Sequence, residues 1–82
     1  MKTHELKTWT EYFNEIKSRN KTFELRKNDR DYKVGDILIL QDFDNNSGQY
    51  SGAEIIANVT YVLYGGVFGL DQGYCIMGLK IQ

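Results

Sequence analysis

The spacing of apolar residues along the chain changes after about twenty positions, and the change separates a helical from an extended region. Near the start, alternation around Thr3–Leu6 predicts a short strand. From about Thr8 to Asn20 the apolar residues recur every three or four positions, as on one helix face. Thr8 and Glu11 have capping-box spacing, and Asn20 is typical of a left-handed helix stop. The side chains predicted to pack this helix against the rest of the domain are Trp9, Tyr12, Phe13 and Ile16.

After the helix the period shortens to two, which predicts strands. In Thr22–Arg26, Phe23 and Leu25 share one face, and Thr22, Glu24 and Arg26 share the other. The remaining predicted elements are strands at Ile37–Leu40, about Ala53–Tyr64 and Tyr74–Ile81, a hairpin turn at Asp44–Gly48 and a glycine-rich connection at Gly65–Gly73. The order β-α-β-β-β-β predicts an α+β domain, a small barrel with one main helix packed beside it.

Composition narrows the class of protein. The chain has 82 residues, which predicts a single domain over 1–82. Hydrophobic residues are 41% and charged residues 26%, which excludes wholesale disorder. No apolar run approaches the roughly 20 residues that span a bilayer, and because Met1–Glu5 contain no apolar run we expect no signal peptide. Cys75 has no disulfide partner and is predicted to be a buried, inert thiol, so we expect a cytoplasmic setting and no membrane partner.

The charge is unevenly distributed. Residues 17 to 33 carry seven Lys and Arg against three Asp and Glu, although the whole chain has a net charge of -1. A concentrated basic segment in an acidic chain favours a local anion site. The alternative is a charged face that only contacts solvent.

The basic segment also contains a motif. A helix, a turn and the spacing Lys21-x-x-x-x-Arg26 lead into a strand, and Tyr32–Leu38 contains a Val-Gly-Asp turn into the next one. These features resemble ASCH (activating signal cointegrator homology) domains. The run from His4 to Arg30 is still closer to a subfamily of short, single-domain bacterial and phage proteins of unassigned function. The resemblance implies a PUA-like β-barrel of five to six strands, with the helix beside a cleft, and recognition of RNA or nucleotides.

Lys21, Glu24 and Arg26 are the predicted centre of that cleft. Lysine and arginine bind phosphate, and a glutamate accepts hydrogen bonds from the exocyclic amine of a base. The predicted rim is Lys27, Asp29 and Arg30, and the possible walls are His4 and Trp9. Three alternatives stay open: Glu24 and Arg26 form a structural ion pair with Asp29 or Arg30, His4 is structural, and Trp9 belongs to the core.

Two other functions compete with binding of RNA, a nucleotide or a nucleoside by a monomer. Some small ASCH proteins are amidohydrolases of acylated cytidine, in which a threonine nucleophile follows the motif lysine by three positions. Glu24 occupies that position here, so in an enzyme Lys21 and Glu24 are the catalytic candidates. A protein-interaction module is favoured if the loop after Tyr64 exposes an apolar patch. No cysteine or histidine spacing predicts a metal site, and no motif predicts a cofactor.

Overall fold

The computed structural model describes all residues from Met1 to Gln82, and a single sheet of five strands organises them. The elements are β1 (Thr3–Trp9), α1 (Thr10–Lys17), β2 (Phe23–Lys27), β3 (Ile37–Asp44), β4 (Gln49–Tyr64) and β5 (Tyr74–Ile81). Their order across the sheet is β1-β3-β4-β5-β2, so β1 and β2 are the two edges. The sheet curls into a half-barrel with the one short helix beside it. The expectation of a small, barrel-like α+β fold with one helix is therefore confirmed.

The long strand β4 produces the curl. Its first half pairs antiparallel with β3 and its second half with β5, with register shifts at Gln41/Phe43 and at Val59/Tyr61. Such irregularities bend a strand and increase its twist. Gly78 lies against the second shift, where an added Cβ would stand 2.9 Å from the Thr60 hydroxyl oxygen. Only β1 and β3 pair in parallel, from Thr3 opposite Ile37 to Trp9 opposite Phe43.

The helix is shorter than the sequence predicts. Thr8 belongs to β1 and is buried, its hydroxyl donating to the Leu6 carbonyl at 3.3 Å, so the expected capping box does not form. Pairing with β3 extends β1 through Trp9, and this tertiary contact outweighs the local capping signal. The left-handed residue at the other end is Arg19, at φ 69°, rather than Asn20. The helix is therefore limited to eight residues.

The core lies inside the curl of the sheet. From α1 it takes Phe13 and Ile16, which are 3% and 1% exposed. Trp9 and Tyr12, predicted to share that stripe, are 47% and 43% exposed because the helix starts later and presents a narrower apolar face. The other core members are Leu6, Tyr32, Leu38, Leu40, Ile55, Val59, Val62, Cys75 and Met77. Cys75 is fully buried as expected, and burial raises the pKa of its thiol, which favours the unreactive protonated form.

The later strands are close to their predicted positions. β5 spans Tyr74–Ile81 as expected, and the turn between β3 and β4 lies within Asp44–Gly48. β3 and β4 are longer than predicted, because their outer ends continue to pair beyond the buried segments. The Gly65–Gly73 connection contains turns and no helix. The one helix, α1, is far too short to cross a bilayer.

A buried polar cluster fixes the start of β1 to the turn before β3. Asp36 is 1% exposed and accepts hydrogen bonds from Nε2 of His4 at 2.9 Å and from the backbone N–H groups of Lys2 and Lys33, each at 3.0 Å. The His4 ring also packs edge-on against Tyr32, with 4.8 Å between ring centroids. Burial alone would raise the pKa of Asp36, but these hydrogen bonds hold it below its ordinary value.

The helix placement predicts unequal effects of two neighbouring substitutions. Phe13→Ala should lower the free energy of unfolding by about 3–5 kcal/mol, because it opens a cavity in the core. Tyr12→Ala, at a residue 43% exposed, should lower it by about 1 kcal/mol or less. Urea denaturation measures both variants. Equal losses would contradict the assignment of Phe13 to the core and Tyr12 to the surface.

The Asp36 cluster predicts loss of stability in acid. The folded-state pKa of Asp36 is depressed, so the unfolded chain takes up this proton first as the pH falls. The stabilisation is fully present above the unfolded pKa of about 3.9 and is lost as the pH drops through the folded value. Urea denaturation between about pH 7 and pH 3 should show a larger loss for the wild type than for Asp36→Asn. Parallel stability curves would show that Asp36 does not contribute to the pH dependence.

Candidate functional site

The two edges of the sheet approach each other without backbone hydrogen bonds between them. Side chains bridge the gap instead. Arg26 of β2 donates from Nη2 to the Lys7 carbonyl at 2.6 Å and to the Thr8 hydroxyl at 3.4 Å. Arg30 donates from Nη1 to the Glu5 carbonyl at 3.0 Å. A guanidinium offers five donors, so each arginine can satisfy edge carbonyls that no strand covers.

A cleft of about 480 Å³ opens along this gap, which we call the seam cleft. Its lining comprises Lys7, Thr8, Trp9, Tyr12, Lys21, Phe23, Glu24, Leu25, Arg26 and Lys27. β1 and α1 supply one side, and the turn before β2 together with β2 itself supplies the other. The predicted centre of the site, Lys21, Glu24 and Arg26, is thus brought together, and Lys27 and Trp9 lie with it.

Glu24 organises the charged part of the cleft. Its side chain is only 4% exposed, and its two oxygens accept from different cations: Oε1 from Lys21 Nζ at 3.2 Å and Oε2 from Arg26 Nε at 2.7 Å. Lys21 Nζ also donates to the Phe23 carbonyl at 2.9 Å. A buried carboxylate needs such partners, and here they in turn hold two cations in fixed positions.

The alternation of β2 is as predicted, but its polar face turns inward. Glu24 is 3% exposed, whereas Phe23 and Leu25 are 45% and 51% exposed. The inward face of this edge strand lies beside the seam, where the Arg26 guanidinium reaches β1. An ion pair within one strand therefore takes the place usually held by an apolar contact.

Aromatic side chains form the other part of the cleft. Trp9 and Tyr12 stack with ring centroids 6.1 Å apart and an interplanar angle of 18°. Lys21 Nζ lies 4.8 Å from the Phe23 ring centroid and 5.7 Å from that of Tyr12. Half-exposed rings held beside a fixed ammonium group provide flat surfaces for a planar ligand.

Three predicted site residues lie outside the lining of the seam cleft. His4 is buried against Asp36 and Tyr32, so it is not a cleft wall in this structure. Arg30 bridges the gap between the two sheet edges by donating to the Glu5 carbonyl, and Asp29 lies in the turn after β2. The alternative ion pairing of Glu24 or Arg26 with Asp29 or Arg30 does not occur.

The sequence pattern did not indicate several of the residues that line the seam cleft. Lys7 and Thr8 were missed because β1 was predicted to end at Leu6, and Tyr12 because it was assigned to the core. The alternation of Lys7 and Trp9 across Thr8 was the available signal for a longer strand. No group of three or more His, Cys, Asp or Glu side chains is placed to hold a metal ion.

The arrangement suits the binding of a planar, anionic ligand better than acid–base chemistry. The lining contains four cationic residues, Lys7, Lys21, Arg26 and Lys27, and one carboxylate, Glu24, so the cleft carries excess positive charge. The Glu24 oxygens accept from Lys21 and Arg26, and no hydroxyl or thiol side chain that could act as a nucleophile is hydrogen-bonded to Glu24. The Nη1 group of Arg26 has no protein acceptor and remains free for a ligand.

Two comparisons with known proteins give consistent matches. Residues 3–79 match the model of the family described as "Domain of unknown function (DUF3850)". An uncharacterized 12.9 kDa protein in the GpA 3′ region of Escherichia phage P2 is 38% identical over 61 residues, covering 74% of this chain and 54% of the phage protein. The chain thus spans about half the length of the curated relative it matches. Because the family model covers nearly the whole sequence, the chain belongs to the DUF3850 family.

Proposed function

We propose that the seam cleft binds a nucleotide unit, either free or at an accessible position in single-stranded RNA. The observation that carries the proposal is the contact between a fixed cation and aromatic faces in one cleft, Lys21 beside Phe23 and Tyr12. Bases stack on such rings irrespective of sequence, and cations attract the phosphates.

The resemblance to ASCH domains supports the same function. The resemblance implies a helix beside a cleft and a Lys-x-x-x-x-Arg motif that enters a strand, and Lys21 and Arg26 occupy the two motif positions here. We extend the proposal to the fold and assign the half-barrel to the PUA-like class, with a helix of eight residues beside the seam.

Glu24 has two roles in this proposal. It holds Lys21 and Arg26 in place, and it offers an acceptor to a base. A carboxylate has about four lone-pair sites, and two are occupied here, so one oxygen can still accept from an exocyclic amine.

The connection between β4 and β5 favours a second candidate function, docking of a protein. Phe68 is 97% exposed at a positive φ of 51°, and its neighbour Val67 is 44% exposed. Contiguous exposed apolar residues mark interaction surfaces, and Val67 and Phe68 are adjacent on this loop. Amidohydrolysis receives less support, because Thr22, the hydroxyl next to Lys21, does not line the seam cleft.

The binding proposal predicts the effects of Lys21→Ala and Arg26→Ala. Each should weaken binding of nucleotides and short RNAs by about tenfold or more, since each removes a charge-assisted contact. Lys2→Ala, an exposed lysine outside the seam cleft, is the matched control and should bind like the wild type. Calorimetric titration gives the affinities. The salt dependence should correspond to about one to three released counterions, because the cleft is short.

Failure of every nucleoside, nucleotide and RNA to bind would reject this function and favour protein docking through Phe68. Multiple-turnover hydrolysis of an acylated cytidine that disappears in Lys21→Ala would instead establish the enzyme.

Glu24→Gln separates the two roles of the carboxylate. If Glu24 accepts a hydrogen bond from the base, it should affect the choice of base more than the overall affinity. Glu24→Gln should therefore change the order of affinity for the four nucleotides. A uniform loss for all four, matched by a loss of thermal stability, would show that Glu24 only positions the cations. Titration of the four nucleotides against both proteins distinguishes these results.

A further inference from the structure

A second, smaller pocket lies on the other side of Lys21. It has a volume of about 270 Å³ and is lined by Ile16, Arg19, Lys21, Thr22, Leu79, Lys80 and Ile81. We call it the cation pocket, because it contains three cations and no carboxylate. Lys21 is the one residue that lines both this pocket and the seam cleft.

Two of the three cations of the pocket, Arg19 and Lys80, have no ion-pair partner, whereas Lys21 is paired with Glu24 at 3.2 Å. Neither Arg19 nor Lys80 takes part in an ion pair or a side-chain hydrogen bond, and both are exposed. The two unpaired cations give this pocket a local positive charge in a chain whose net charge is -1.

Strand pairing brings two of these cations together. Phe23 pairs with Gly78, and Leu79 N–H donates to the Thr22 carbonyl at 2.9 Å. Lys21 lies two residues before β2 and Lys80 lies in β5 next to Leu79, so this pairing places both residues at the same pocket. Because Lys21 Nζ is paired with Glu24, the positive charge available to an anion at this pocket comes mainly from Arg19 and Lys80.

The pocket also has the shape and polarity for a phosphate group. Its volume accommodates several water molecules of about 30 Å³ each, hence a partly hydrated phosphate. The Thr22 side chain adds a hydroxyl donor to the lysine and arginine donors. Ile16, Leu79 and Ile81 complete the lining with apolar side chains.

We propose that the cation pocket is a phosphate subsite of the ligand that occupies the seam cleft, with Lys21 contacting the ligand from between the two. This inference rests on the proposed function and specifies its ligand class. The ligand is a phosphorylated nucleotide, its base against the aromatic rings and its phosphate beside Arg19 and Lys80. A terminal phosphate and the phosphodiester of an oligonucleotide have the same chemistry here.

The test compares ligands with and without phosphate. The four ribonucleosides, their 3′- and 5′-monophosphates and the corresponding dinucleotides are titrated calorimetrically into the wild type and into Arg19→Ala, Lys80→Ala and Lys80→Glu. Lys2→Ala is the matched control, an exposed lysine that lines neither pocket. Circular dichroism and thermal melting confirm that each variant is folded.

The expected result is that phosphorylated ligands bind the wild type about tenfold more tightly than nucleosides. Lys80→Ala and Arg19→Ala should each remove most of that difference and leave nucleoside affinity unchanged, and Lys80→Glu should reverse it. Preference for a 3′- or 5′-monophosphate supports a terminal phosphate, and preference for dinucleotides supports a phosphodiester.

Two results would overturn the inference while leaving the proposed function intact. One is equal affinity for nucleosides and nucleotides. The other is a preference for phosphate that is unchanged in both Lys80 variants and in Arg19→Ala. Absence of binding by every nucleoside and nucleotide would reject the proposed function itself, and the phosphate subsite with it.

Discussion

The gap between β1 and β2 is closed by side chains rather than by backbone hydrogen bonds, and much of the molecule depends on that closure. Arg26 is the central connection, because its guanidinium reaches the Lys7 carbonyl on the opposite edge while its Nε is held by Glu24. A strand in the same place would fill the gap and complete the barrel. An arginine leaves space beside it, and that space is the seam cleft.

The same closure explains why charged groups are tolerated in a domain of this size. Breaking a buried ion pair by removing one partner is strongly destabilising, since it leaves a charge without compensation. Glu24, Lys21 and Arg26 avoid that state by satisfying one another at 3.2 Å and 2.7 Å. Their positions are thus fixed by folding, before any ligand arrives. Side chains fixed in this way lose less conformational entropy on binding, which favours affinity.

Sequence periodicity was sufficient to predict the elements that local contacts determine. It was insufficient for features that depend on contacts between residues far apart in the chain. The strand β5, the turn after Asp44 and the burial of Phe13 follow from spacing alone, because each depends on one amphipathic segment. The start of the helix does not follow from spacing, because the pairing of β1 with β3 places Thr8 in a strand. His4 could not be located either, since its partner Asp36 lies 32 positions away.

The candidate site divides in the same way. Lys21, Glu24 and Arg26 are close in sequence, and a turn followed by a strand is enough to bring them together. The cation pocket was hidden, because Lys80 joins Lys21 only through the pairing of β2 with β5. Lys80 is the only basic residue after Lys33, and a basic residue isolated in this way carries no local signal of its location in the fold.

The order of the strands also has a consequence for how the molecule acquires its site. β3, β4 and β5 follow one another in the chain and pair antiparallel as neighbours, so their contacts close short loops. β1 pairs with β3 across a separation of 34 positions, and β2 pairs with β5 although β3 and β4 lie between them in the chain. Contacts between residues so far apart in the chain have the largest entropic cost of loop closure. The seam cleft lies between these two edges and nowhere else, so no partly assembled chain that lacks either edge possesses it.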